Sequence, residues 1–137
     1  MKYIFCLIFL LVPVWSKESK IKILVMKPSI NPQIVHLAWN ECSICNMDEL
    51  KAILDAIKNR LEHKDFPDSL ELILNAPFQF NVQKVFVPKY FKNKIEILWN
   101  QPVKYPYIYF RSKNYSHSSW MNKYKWVKHK SFKHEFS

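Results

Sequence analysis

The chain has 137 residues and not one of them is glycine. Without glycine there is no Gly-rich loop whose backbone can cradle a phosphate, so nucleotide sites of that type are excluded. Tight turns fall instead to Asn, Asp and Pro. Cysteine is nearly as scarce, with three residues at Cys6, Cys42 and Cys45. A small secreted fold stapled by disulfides carries four, six or eight, so this chain relies on a core rather than on staples. No motif orders Ser, His and an acid for hydrolase chemistry. Beyond residue 16 no apolar run approaches the ~20 residues that a membrane-spanning helix needs.

What is present begins with Lys2 and an apolar run from Tyr3 to Val14, broken by Pro13 and followed by Val14-Trp15-Ser16. This is the layout of a secretory signal peptide over residues 1–16, cleaved after Ser16. It predicts a mature protein in the endoplasmic reticulum lumen or secreted, without a transmembrane segment. Cleavage removes Cys6 and leaves Cys42 and Cys45 alone in an oxidising compartment. A bridge closing so short a loop stabilises little on the chain-entropy model. The pair therefore calls for another explanation. The remaining chain is rich in Phe, Tyr, Trp, Ile, Leu and Val and can bury a core. It divides into one domain over 17–118 and a basic, aromatic C-terminal segment over 119–137.

Apolar runs predict strands at Ile21–Met26 and Ile34–Trp39, the second apolar on both faces as in a central strand. Met47, Leu50, Ile53, Leu54, Ile57 and Leu61 recur at helical spacing and predict a helix from Met47 to about His63. Asn46-Met47-Asp48-Glu49 reads as its capping box. Further strands are expected at Leu70–Leu74, in the alternation of Phe78, Phe80 and Val82, at Val85–Val87, at Lys94–Trp99 and at Tyr107–Phe110. The segment from Trp120 to Phe136 lacks a clean period and leaves a terminal helix open. Strand, helix, then several strands indicate an α/β or α+β domain.

A strand leading into Cys42-Ser43-Ile44-Cys45 and then an amphipathic helix resembles the active-site arrangement of thioredoxin-like oxidoreductases, including protein disulfide isomerase domains. The resemblance covers about residues 34–98. It implies an α/β fold with a thioredoxin-like mixed sheet and flanking helices; the alternative is α+β with a mostly antiparallel sheet. It also implies Cys42 as attacking thiol and Cys45 as resolving thiol, with protein thiols or disulfides as partners. A Cys just before a helix N-terminus has a lowered thiolate pKa, which suits that role. The family's cis-proline matches Val87-Pro88, forty-three residues past Cys45, with Tyr105-Pro106 as a rival. Glu41 replaces the family's Trp before the first cysteine, and Ser-Ile replaces Gly-Pro or Gly-His. An acid beside Cys42 raises its pKa and opposes the helix effect. The bland readings are an inert local disulfide or half of a metal site. Zinc needs four ligands, and His129 and His134 lie more than eighty residues from the pair, so no metal and no cofactor are expected.

Charge is lopsided. Residues 17–83 carry eight Lys/Arg against nine Asp/Glu, and residues 84–137 carry twelve against two. Lys123, Lys125, Lys128, Lys130 and Lys133 interleave with Tyr124, Trp126 and Phe132. Such a segment suits glycosaminoglycans or an anionic membrane surface, while nucleic acid is not expected outside the cell. Asn114-Tyr115-Ser116 is a glycosylation sequon beside it. Two functions follow as expectations: thiol–disulfide exchange on proteins, or a non-enzymatic secreted basic protein binding a polyanion.

Overall fold

The computed structural model describes residues 29–77, 79–114 and 119–137. The expected signal peptide, the expected strand Ile21–Met26, Phe78 and the last two sequon positions lie outside the described residues. The described chain is a mixed α+β fold. It comprises helices α1 (Pro32–Cys42), α2 (Met47–Glu62), α3 (Leu70–Leu74) and α4 (Lys89–Asn100), strands β1 (Phe110–Ser112), β2 (Val127–Lys128) and β3 (His134–Phe136), and a 3-10 turn at Ser119–Lys123. The sheet is antiparallel in the order β1-β3-β2, with Phe110 opposite Phe136 and Val127 opposite the same Phe136. The coarse expectation of a chain that mixes helix and sheet holds, as α+β with an antiparallel sheet, the form given as the alternative; the sheet is much smaller than the expected strands implied.

Three expected strands are helices, and each has a physical reason. In α1 the buried positions are Ile34, Val35, Leu37, Ala38 and Cys42, a helical stripe rather than two strand faces. Asn31 caps it by accepting from the Gln33 N–H at 2.9 Å, and Pro32 starts it where no N–H is needed. In α4 the buried set is Phe91, Ile95 and Leu98, spaced four and three apart, while Ile97 of the supposed alternation is 60% exposed. In α3 Ser69 caps a single turn that buries Ile73 and Leu74. The expected strands around Phe80–Val82 and Val85–Val87 run without sheet pairing. With no glycine to supply a left-handed residue, every helix is followed by a residue of negative φ, from −62° at Ser43 to −98° at Asn75.

Helix α2 is the centre. Leu50, Ala52, Ile53, Leu54, Ala56 and Ile57 are all fully buried, and the helix packs against α1, α3 and α4. Residues 119–137 do not stand apart from this core, nor do they form a terminal helix. Phe132 and Phe136 are buried among Tyr105, Tyr107 and His129, whose hydroxyl-to-ring bond from Tyr107 to His129 is 2.8 Å. Such aromatic clusters add about 0.5–1.5 kcal/mol per pair beyond area burial.

The long irregular segments are held by side chains of α1 and α2. Asp55, wholly buried, pairs with Lys51 and accepts from the backbone N–H groups of Lys104 (2.7 Å) and Tyr105 (3.0 Å). Asn59 donates to the carbonyls of Tyr105 and Tyr107, both at 2.8 Å, and Arg60 to that of Ile108 at 2.8 Å. The Arg60 guanidinium also lies 4.6 Å from the centre of the Phe80 ring and 5.2 Å from that of Tyr109. Burial pulls its pKa down to about 10, so it stays charged at neutral pH. Asn40 reaches the carbonyls of Asn81 and Gln83 in the same manner.

Replacing Asp55 with Ala strands two backbone donors and the buried Lys51 ammonium, an arrangement that costs about 3–5 kcal/mol. Urea unfolding should show that loss as a lower midpoint at unchanged slope. A change below about 1 kcal/mol would mean that the loop 101–109 does not depend on this carboxylate.

Candidate functional site

Cys42 is the last residue of α1 and Cys45 stands directly ahead of Asn46, the N-cap of α2. The Cys45 N–H closes the turn onto the Cys42 carbonyl at 3.3 Å. The two Cα atoms are 5.3 Å apart and the sulfurs are joined as a disulfide. Both cysteines are buried, at 5% and 7% exposure. The pair therefore sits at a corner between two helices, not between a strand and a helix.

Asn46 caps α2 as the sequence suggests, accepting from the Glu49 N–H at 2.8 Å. The Glu49 carboxylate takes no part in a reciprocal capping box. It turns inward, 1% exposed, and its Oε1 accepts from the backbone N–H of Lys133 (2.7 Å), from that of His134 (2.9 Å) and from His134 Nδ1 (2.8 Å). One carboxylate oxygen thus anchors the start of β3, the middle strand of the sheet. His134 is buried too, with the Phe110 ring edge-on to its imidazole.

The outcome is a buried cluster of Cys42, Cys45, Glu49 and His134. One ligand-type atom from each lies within 4.8 Å of those from the other three. Sequence reasoning found the two cysteines but not their neighbours. Glu49 lies in the first turn of the helix that follows Cys45, so its closeness in sequence to the pair was a local signal. His134 is 85 residues from Glu49 and had none. His129, the other histidine considered for zinc, is engaged by Tyr107 instead.

Glu41 borders the cluster. Burial pushes its carboxyl above the ordinary range, against the opposing pull of the Asn81 N–H, which it accepts at 3.2 Å, and of His134. Elsewhere Asp48 is held below its ordinary range by the hydrogen bond and charge of Lys104, on an exposed face. Glu135 is driven up by burial but more strongly down by Arg111 and Lys128, and ends below its ordinary range.

The remaining expected site residues fall elsewhere. Pro88 precedes the first residue of α4 as its N-cap, with ordinary φ of −58°. Pro106 is exposed between Tyr105 and Tyr107, whose carbonyls bind Asn59. Asn114 is exposed just after β1. Lys123, Lys125, Lys128, Lys130 and Lys133 all face solvent around β2 and the start of β3. Among the described residues no helix is long and apolar enough to cross a membrane. Comparison with protein-family models, with curated proteins and with solved structures found no match to this chain.

Because the folded state raises the Glu41 pKa, the stability tied to its neutral form is complete below about pH 4.5 and lost as pH rises through the folded value. Glu41→Gln keeps the oxygen that accepts from Asn81 and removes the buried charge. The variant should be more stable than the parent at pH 7, by up to about 1 kcal/mol given partial exposure. Below pH 4.5 the two should unfold at the same urea concentration; a constant difference across pH would assign the effect to packing.

Proposed function

We propose that this is a secretory-pathway protein whose Cys42–Cys45 pair works as a thiol–disulfide couple. The observation that carries the reading is the placement of the pair beside buried Glu49 and His134, since an inert local bridge needs no such company. The signal-peptide layout supplies the compartment. The shared feature with thioredoxin-like proteins is Cys-x-x-Cys leading into an amphipathic helix; α1 occupies the place where that family has a strand. The helix ends favour a reversal of the roles expected from sequence. Cys45 lies at the positive N-terminal end of α2, whereas Cys42 lies at the negative end of α1 with Glu41 beside it. Cys45 is then the more acidic thiol and the attacking one, and Cys42 resolves. Burial of both sulfurs makes the couple slow unless the corner between α1 and α2 opens, so protein disulfides exchange with it only through that opening.

A second reading is supported by the solvent-facing lysines at 123, 125, 128, 130 and 133. Their exposure, with most of the positive charge in the same half of the chain, suits a glycosaminoglycan or an anionic membrane surface. The two readings are compatible.

Equilibration of the native chain with glutathione buffers, followed by thiol alkylation, gives the potential of the pair. The couple predicts a value between about −270 and −120 mV, the span of exchange proteins; one below about −300 mV would identify an inert structural bond. In addition, Cys42→Ser should trap mixed disulfides faster than Cys45→Ser. For the second reading, the protein should elute from immobilised heparin only well above about 0.15 M salt, and elution at or below that concentration removes the polyanion.

A further inference from the structure

A two-cysteine turn leaves a zinc ion two ligands short, and the fold supplies two more donors from elsewhere in the chain. We infer that the reduced form of this protein binds one zinc ion through Cys42, Cys45, Glu49 and His134. Disulfide and metal are then alternative occupants of one buried corner. The inference rests on the thiol–disulfide reading, because the ligands exist only when the pair is reduced.

The donor set fits the ion. Zinc takes thiolate, imidazole and carboxylate donors in a tetrahedron, with metal–ligand distances that place neighbouring donors roughly 3.3–3.8 Å apart. The four donors here already lie within 4.8 Å of one another, close to the spacing that a tetrahedral ion requires. All four residues are buried, which suits a closed structural site rather than a catalytic one with an open position. Glu49 can ligate while its Oε1 keeps the backbone N–H donors of Lys133 and His134, and the contact with His134 Nδ1 gives way to the ion. The placement of the ligands also assigns the ion a task. Cys42 ends α1, Cys45 and Glu49 open α2, and His134 begins β3, so one ion would tie the helical half to the middle strand of the sheet.

The chemistry balances. A dithiol reductant delivers two electrons and two protons to the Cys42–Cys45 bond and becomes a disulfide itself, leaving two thiols. Zinc then displaces both thiol protons to solvent and forms two metal–sulfur bonds. Reoxidation by a disulfide-bearing partner withdraws two electrons, re-forms the sulfur–sulfur bond and releases the ion. Binding therefore strengthens as pH rises and as the surroundings become more reducing.

The test uses the full mature chain, reduced with a phosphine, which takes up oxygen from water as the bridge opens. Thiol counting comes first. If the folded chain releases no thiols, the couple fails and the zinc site falls with it. If two thiols are released, cobalt(II) is titrated in. The expected result is one ion per chain, with thiolate-to-cobalt charge transfer in the near ultraviolet and the intense visible bands of a tetrahedral centre. Zinc should bleach them. The oxidised chain should show neither. His134→Ala should weaken binding by at least about 100-fold and Glu49→Gln by about 10- to 100-fold. If reduction unfolds the chain, zinc should restore the native circular dichroism. Two free thiols without cobalt bands, a His134→Ala variant that binds as the parent does, or an unfolded reduced chain that zinc fails to restore would each overturn the site while leaving the couple standing.

Discussion

The structure depends on one constraint, the need of extended backbone without a sheet to find hydrogen-bond partners inside a folded protein. The sheet is small, and the segments 79–88 and 101–109 run past the helices with few strand neighbours. Their N–H and C=O groups cannot be left unpaired where water is excluded, at a cost of about 1–3 kcal/mol each. The solution is polar side chains on the helices: Asn40 and Glu41 of α1 serve the segment 79–88, and α2 serves 101–109. Asp55 accepts from two amides, while Asn59 and Lys58 each donate to two carbonyls and Arg60 to one more. Helix α2 acts as a core element through its Leu, Ile and Ala residues. Through its polar residues it replaces the missing strand.

Glu49 is the same device at the start of that helix, and it is where architecture and chemistry meet. Its carboxylate satisfies the amides of Lys133 and His134 and so fixes the register of β3 between β1 and β2. Fixing that strand carries the His134 ring to the Cys42–Cys45 corner. Anchoring the last strand to the first turn of α2 thus also assembles the candidate site. Buried charges of this kind are stabilising only in company: Lys51 pairs with Asp55 and Arg111 with Glu135, Glu49 is met by three hydrogen-bond donors, and Arg60 is held by the Ile108 carbonyl and by ring faces.

Helix α2 was legible in the sequence because its apolar period, its cap and its first-turn acids agree. The other helices were not, for one shared reason. In α1 and α4 the apolar residues at helical spacing are supplemented by others, Trp39 in one and Ile97 and Trp99 in the other, which complete a strand-like pattern. Only burial distinguishes the patterns, and burial is decided by α2. The Asn31-Pro32 start signal was the local sign that could have corrected α1. At the site, the cysteines were legible as a pair, whereas Glu49 was read as a capping residue, a role its carboxylate does not take. His134 became a neighbour through a strand pairing that spans the chain, which no local pattern encodes. The basic character of the C-terminal residues was read correctly from composition, but not their part in the core through Phe132 and Phe136.

The central claim is that the Glu49 carboxylate pins β3 to the start of α2. Amide hydrogen exchange at Lys133 and His134, measured by NMR on the oxidised chain, tests it most directly. Both amides are predicted to exchange only through global unfolding, as slowly as those at the centre of α2, and Glu49→Ala should release them together. Exchange at unprotected rates in the parent protein would contradict the account.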